Sequence, residues 1–235
     1  MSKNALSTLT SLPTSNVSPK ELSTQYASAS FIKRLQLVTK GKLVDKGLVK
    51  PGHWAIPISD EEANDLGAEV DILVLAVRHK TLDTNEKPPV ASYDPDSDLF
   101  KSIVERAGEK NSGCMYGPSF LVLERSTGSF LEVFFGNASG RQEAGNLVPY
   151  LPVSEEQAKQ FGKGFAAQGP QAATLKAKYI ERPKYAWHAP VVGKCSTPFT
   201  EVPEVEEIVK QITKFLEQKD EGPEVAAPDE KSRKR

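Results

Sequence analysis

Alternating and uninterrupted apolar residues predict a mainly β chain with short helices between the strands. The strongest strand prediction covers residues 70–82, where an unbroken apolar run precedes Arg78, His79 and Lys80. Such a run is typical of a strand buried on both faces, and its basic end predicts that the strand emerges at a charged surface. Further strands are predicted over residues 31–38, 53–58, 119–125 and 130–135, and in two segments between 173 and 194.

Helical periodicity and capping residues predict four helices and a helical turn. Apolar residues recur at helical spacing over residues 97–107 and from about residue 203 to 218. Ser139 with Gln142 and Ser154 with Gln157 have the spacing of capping boxes, so two short helices are expected to begin there. Ser59 is expected to cap a helical turn over residues 60–66. The turn-forming residues of segment 111–118 predict a tight loop before the strand at Ser119.

Strands separated by short helices favour an antiparallel barrel or a sandwich. We expect a five-stranded barrel of the oligonucleotide-binding type, with helical insertions and a C-terminal amphipathic helix. This single β-rich domain would extend over residues 30–221. The polar segment 1–29 is expected to form a flexible arm and segment 222–235 a disordered tail, because neither has a periodic apolar face.

Local rather than overall charge indicates a polyanionic partner. The chain has 30 Lys and Arg residues against 31 Asp and Glu residues, so its overall charge does not favour nucleic acid. Residues 31–50, however, contain six cations and one acid, and residues 172–195 contain five cations and one acid. Any polyanion site is therefore expected at these two segments.

The second basic segment combines cations with aromatic rings. On a predicted strand Lys176 and Lys178 point to one side, and after the turn at Arg182-Pro183 the chain continues with Lys184, Tyr185 and Trp187. Cations can follow the phosphates of a single nucleic-acid strand while rings stack on its bases. An ordinary half-buried hairpin is the alternative. The predicted nucleic-acid-binding residues are Arg34, Arg78, Lys80, Lys176, Lys178, Arg182, Lys184, Tyr185 and Trp187.

Metal sites are disfavoured by spacing. Asp94, Asp96, Asp98 and Glu105 follow the spacing of a calcium loop, but Leu99 stands where the loop needs glycine. The alternative is a turn and an acidic helix start. A zinc site built from His79, Cys114, Cys195 and a further ligand would lack the close sequence pairs that zinc ligands usually form. We expect neither a metal nor a cofactor.

Catalysis is also disfavoured, because the chain contains no phosphate-binding loop, dinucleotide fingerprint or nucleophile elbow. Arg141 could contact a phosphate or be an ordinary surface residue. Two widely separated cysteines favour a reducing compartment, and the first 30 residues contain no apolar run suited to a signal peptide or a membrane span. The expected location is the cytoplasm, that of the host if the protein is viral.

Four short segments carry a resemblance to known proteins: residues 112–118, Arg141 with Glu143 and Ala144, Lys184-Tyr185 with Trp187, and residues 195–198. Through them the chain resembles a group of tailed-phage proteins and, more distantly, phage single-stranded DNA-binding proteins with an oligonucleotide-binding fold. The resemblance covers residues 30–216 and implies a role in phage replication or recombination, with replication or recombination proteins as partners. Four of the last five residues, 231–235, are Lys or Arg, whereas phage single-strand binders generally end in an acidic tail that recruits partners.

These observations lead to three hypotheses. The first is a non-catalytic protein that binds single-stranded DNA, or RNA, with little sequence preference and does not act at membranes. The second is a structural or interaction protein of a virion or an assembly. The third, which is the least favoured, is a metal enzyme that uses Asp94, Asp96 and Asp98.

Overall fold

The computed structural model of the chain describes residues 32–59, 61–86, 89–109, 111–162, 166–200 and 202–218. Within these residues the protein is mainly β, with a few helices. The predicted flexible segment at the N-terminus, residues 1–29, and the predicted disordered tail, residues 222–235, lie outside the described residues. No helix in the described part of the chain is long and apolar enough to cross a membrane.

The strands are β1 (Lys33–Arg34), β2 (Gln36–Val38), β3 (His53–Pro57), β4 (Ala63–Gly67), β5 (Glu69–Asp83), β6 (Val90–Ser92), β7 (Cys114–Glu124), β8 (Phe130–Phe134), β9 (Ala172–Arg182) and β10 (Tyr185–Lys194). The helices are α1 (Lys42–Asp45), α2 (Asp98–Ala107), α3 (Ala138–Ala144), α4 (Glu155–Phe161) and α5 (Val205–Leu216), and a 3-10 helix covers Gly145–Tyr150.

Two sheets replace the predicted barrel. The larger sheet has seven strands in the order β1-β8-β7-β5-β9-β10, with β6 paired to the end of β5. It is mixed, because β1 runs parallel to β8 while the other pairs are antiparallel. Strands β2, β3 and β4 form a separate antiparallel sheet. Among the described strands the larger sheet is an open path from β1 to β10, so the expectation of a closed antiparallel barrel is not met.

The long strand β5 is buried on both faces, as its apolar run predicted. On one face Ile72 and Val74 pack in a core that includes Trp54 of the small sheet. On the other face Leu73 and Leu75 pack against α5. Because both faces of the sheet carry apolar side chains, each needs its own cover, which an open sheet between two layers provides.

The local predictions are confirmed for the strongest signals. Helices α2 and α5 occupy the predicted segments, β7 and β8 form the predicted hairpin, and Ser154 forms the predicted capping box with Gln157. The basic segment forms the antiparallel pair β9 and β10.

Three local predictions were wrong. Residues 63–67 form strand β4 instead of a helical turn, since Ser59 lies in the turn that joins β3 to β4. Helix α3 is capped by Asn137, whose side chain accepts a hydrogen bond from the backbone N–H of Gly140, so Ser139 is not the cap. Residues 114–118 belong to β7 and pair with β5, so the predicted loop before Ser119 is mostly strand.

Candidate nucleic-acid interface

The pair β9 and β10 extends beyond the large sheet. Strand β5 pairs with β9 only as far as Lys176, whereas β9 and β10 remain paired out to Arg182 and Tyr185. The two-residue turn Pro183-Lys184 closes the hairpin. Residues 176–188, which we call the arm, therefore project past β5 as a two-stranded ribbon.

One face of the arm combines cations with aromatic rings. Lys178 lies opposite Ala189, Ile180 opposite Trp187 and Arg182 opposite Tyr185. Because side chains alternate along a strand and opposite residues share a face, these side chains emerge on the same side of the ribbon as Lys176. We call this side the basic face. The structure thus brings together five of the predicted residues, with Lys184 beside them in the turn.

Three cations of the arm are available to a ligand. Lys178, Arg182 and Lys184 are exposed, and within the described residues their side chains have no hydrogen-bond or ion-pair partner. Lys176, in contrast, has an ion-pair partner, because its ammonium lies 2.9 Å from a carboxylate oxygen of Glu69. Both partners of this pair are exposed, so the pair is weak and Lys176 can exchange Glu69 for a phosphate.

The aromatic residues of the basic face stack on each other. The ring centroids of Tyr185 and Trp187 are 5.3 Å apart with an interplanar angle of 29°. Tyr185 is 66% exposed, whereas Trp187 is half-buried. A base can therefore reach the outer face of the Tyr185 ring, and Trp187 supports that ring from the other side.

The remaining predicted cations lie elsewhere, around the carboxylate of Glu132 on β8. Lys80 Nζ lies 2.6 Å from Glu132 Oε2, and Arg34 Nε lies 3.6 Å from the same oxygen. Arg78 Nη2 lies 3.0 Å from the other oxygen, Oε1. The Ser119 hydroxyl donates a further hydrogen bond of 2.7 Å. We call these five residues the Glu132 cluster.

Helix α5 and two aromatic rings cover this cluster. The Arg78 guanidinium donates to the backbone carbonyl of Phe215 and to the Gln218 side chain. It also lies 3.8 Å from the ring centroid of Tyr93 and 4.1 Å from that of Phe215. These contacts are favourable cation–π geometries for a desolvated cation.

The predictions for Arg78 and Lys80 were therefore wrong. Lys80 is 0% exposed and the Arg78 side chain is 7% exposed, so neither can reach a phosphate. Both point to the same face of the sheet as Lys176, but the nine positions of β5 between Glu69, the partner of Lys176, and Arg78 correspond to about 30 Å. Arg78 and Lys80 therefore share no exposed basic surface with Lys176 and Lys178. Arg34, on β1, lies at the opposite edge of the sheet from the arm and is engaged by Glu132.

The charges of the Glu132 cluster affect one another. Burial opposes ionisation of Glu132, but Lys80, Arg78 and the hydrogen bond from Ser119 hold its pKa below the usual value. Burial lowers the pKa of Lys80 although Glu132 acts in the opposite direction. The short contact between the two groups supports an ion pair at neutral pH. Sequence analysis did not identify Glu132, but a lone acid inside an apolar strand is the signal that could have revealed it.

The described residues show no grouping of side chains suited to a metal ion. Asp94 accepts a hydrogen bond from the backbone N–H of Asp96, and Asp98 lies in the first turn of α2. This is the predicted alternative of a turn with an acidic helix start.

Cys114 is buried, which raises the pKa of its thiol. Arg141 donates hydrogen bonds to the backbone carbonyls of Tyr116, on β7, and Gly136, just before α3, so it links these two parts of the chain.

The chain has no significant match among protein-family models, curated proteins or solved structures.

Proposed function

We propose that the protein binds single-stranded DNA through the arm, without catalysing a reaction and with little sequence preference. The observation that carries the proposal is the register of β9 and β10, which places Lys176, Lys178 and Arg182 on one face with Tyr185 and Trp187. The cations, together with Lys184, would contact phosphates, and Tyr185 would stack on a base with support from Trp187. Arg34, Arg78 and Lys80 are not part of this interface.

Low sequence preference follows from the chemistry of the basic face. Lysine and arginine side chains follow the phosphate backbone, which has the same charge at every nucleotide. A tyrosine ring can stack on any base because every base has a π-face. The same chemistry accepts RNA. The proposal extends to phage replication or recombination, with replication or recombination proteins as further partners, and this part is supported by the sequence resemblance alone. The free cysteines Cys114 and Cys195 fit action in a reducing host cytoplasm.

The second candidate function is a virion or assembly protein that uses the same arm for protein contacts. Strand β10 is the last strand of the large sheet, and Tyr185, its first residue, is highly exposed. An exposed edge and a large aromatic residue are also features of protein interfaces.

The first prediction tests the arm with purified full-length protein and a single-stranded oligonucleotide. Tyr185→Ala should weaken binding by about 1 to 3 kcal/mol, the usual contribution of one stacked ring, without changing the melting temperature, because Tyr185 is exposed. Lys178→Ala should reduce the slope of log K against log salt by about 0.7, the value for one phosphate contact on a single strand. Salt-dependent fluorescence titrations measure both quantities.

Lys33→Ala is the matched control, because Lys33 is an exposed lysine on β1, at the opposite edge of the large sheet. Its salt slope should equal that of the wild type. If the wild type shows no binding at micromolar protein and low salt, the nucleic-acid proposal fails and the assembly function is favoured.

A further inference from the structure

The face of the arm opposite the basic face carries a second aromatic pair. Tyr179 lies directly opposite His188 in the β9–β10 ladder, and their ring centroids are 5.1 Å apart with an interplanar angle of 53°. Tyr179 is 56% exposed. Because neighbouring residues of a strand point to opposite sides, this pair and the Tyr185–Trp187 pair lie on different faces of the same ribbon.

The ring of His188 packs against Gly52, in the turn that precedes β3. A Cβ atom on Gly52 would lie 2.5 Å from Cδ2 of the His188 ring, and Gly52 has a φ of +83°. A side chain at this position would collide with the ring, and most residues would also be strained in this conformation. The contact therefore holds the base of the arm against the small sheet.

A further cation, Lys50, lies in the chain next to this contact. Lys50 is exposed, and within the described residues its side chain has no hydrogen-bond or ion-pair partner. It precedes Gly52 by two positions, which a chain spans in about 7 Å at most. The first basic segment of the sequence, residues 31–50, thus ends close to His188 in the second basic segment.

We propose that a nucleic-acid strand bound on the basic face continues around the outer edge of β10 to this second face, where Tyr179 stacks on a further base and Lys50 contacts a further phosphate. The inference rests on the proposed function and extends it. At the outer edge of β10, Glu143 of α3 accepts a hydrogen bond from the backbone N–H of Val192. Between Tyr185 and His188 no described strand pairs with this edge, so the path around the arm is not blocked by another strand. The ligand is a polyanion, and single strands bind where cations lie near exposed rings. The basic face has this combination, and the second face has the exposed ring of Tyr179 with Lys50 two positions from Gly52, which contacts His188. Glu181 is the acid that shares the second face, opposite Ala186.

The experiment compares two lengths of oligothymidine on the full-length protein, one of about 4 nucleotides and one of about 16, the limits of typical single-strand sites. The short strand occupies the basic face alone, and the long strand reaches both faces. Tyr179→Ala should weaken binding of the long strand by about tenfold and leave the short strand unaffected, since about 1.4 kcal/mol corresponds to tenfold in affinity. Tyr179→Phe keeps the ring and should retain wild-type binding.

Lys50→Ala provides an independent measurement. It should lower the salt slope by about 0.7 for the long strand only, while Lys33→Ala should change neither slope. Long-strand binding that is unchanged in both Tyr179→Ala and Lys50→Ala overturns the inference, as does an equal loss for both lengths. If the wild type binds the short strand and Tyr185→Ala weakens it, the proposed function stands even when this inference fails. If the wild type binds neither length, both fail.

Discussion

Glu132 lies among three cations and accepts hydrogen bonds from Lys80, Arg78 and Ser119. Its side chain and that of Lys80 are both buried. Removing two charges from water is unfavourable, so the ion pair contributes little stability relative to an apolar pair of the same size. Removing one partner, in contrast, is strongly destabilising, because the other charge then remains buried without compensation.

The second prediction follows from the excess of cations over acids in the Glu132 cluster. Glu132→Gln removes the carboxylate that compensates Lys80 and Arg78, so the free energy of unfolding should fall by about 3 to 5 kcal/mol. Lys80→Met should be less damaging, because Glu132 keeps its ion pair with Arg78. Urea unfolding at neutral pH measures both changes. A larger loss in the free energy of unfolding for Lys80→Met than for Glu132→Gln would contradict the conclusion that Glu132 compensates the cations of the cluster.

At the scale of elements, β7 depends on a glycine where it passes the end of β8. A Cβ atom on Gly117 would lie 2.1 Å from the backbone oxygen of Phe135 and 3.1 Å from Cγ of Arg141. The backbones approach closely here, and Arg141 bonds to carbonyls on both sides of the contact. A glycine inside a strand often marks such an approach.

The third prediction compares two glycines. Gly117→Ala should lower the free energy of unfolding by about 1 to 3 kcal/mol or more, because the backbone oxygen of Phe135 cannot move aside without shifting the strand. Gly145→Ala is the matched control, since it has helical dihedral angles and no atom lies within 4 Å of its added Cβ. That change should be neutral or stabilise the protein by about 0.4 to 1 kcal/mol. Equal stability of the two variants in urea unfolding would show that the close approach is not constraining.

The arm is also an element whose stability depends on tertiary contacts. A two-stranded hairpin by itself is marginally stable in water. Here the half-buried side chains of Trp187 and His188, and the contact of His188 with Gly52, hold the ribbon in place. Because Trp187 contributes to the order of the arm, the exposed Tyr185 is the better test of binding.

At the scale of the whole molecule, three carboxyl groups in different parts of the fold respond to acid in the same direction. Burial opposes the ionisation of each group. Backbone hydrogen bonds and Arg106 nevertheless lower the pKa of Asp83, Gly67 and His53 lower that of Asp65, and Lys80 and Arg78 lower that of Glu132. When the folded pKa lies below the unfolded value, stability is full above the unfolded pKa and is lost as the pH falls through the folded pKa.

The fourth prediction is a loss of stability in acid. The urea midpoint should fall as the pH decreases below about 4.5, the ordinary value for glutamate, because the unfolded chain then binds more protons than the folded one. Glu132→Gln should show a smaller decrease over this range. Glu61→Gln is the control, because Glu61 is 83% exposed, and its decrease should match that of the wild type. A midpoint that stays constant down to pH of about 3 would contradict the lowered pKa values.

Local signals in the sequence determined several elements and one face of the candidate interface. Strand β5, helices α2 and α5, and the hairpin of β9 and β10 follow from apolar periodicity and turn residues, which act over a few positions of the chain. The common face of Lys176 and Lys178 follows from the two-residue period of a strand. These features need no knowledge of what packs against them.

Tertiary structure decided which cations are available to a ligand. Arg78 and Lys80 look like Lys176 and Lys178 in the sequence, yet α5 and Glu132 bury the first two and leave the others exposed or half-exposed. The open mixed sheet and the contact of Gly52 with His188 likewise join segments that are far apart in the chain. Whether a charge is solvated or paired depends on the surface that covers it, and local sequence carries no information about that surface.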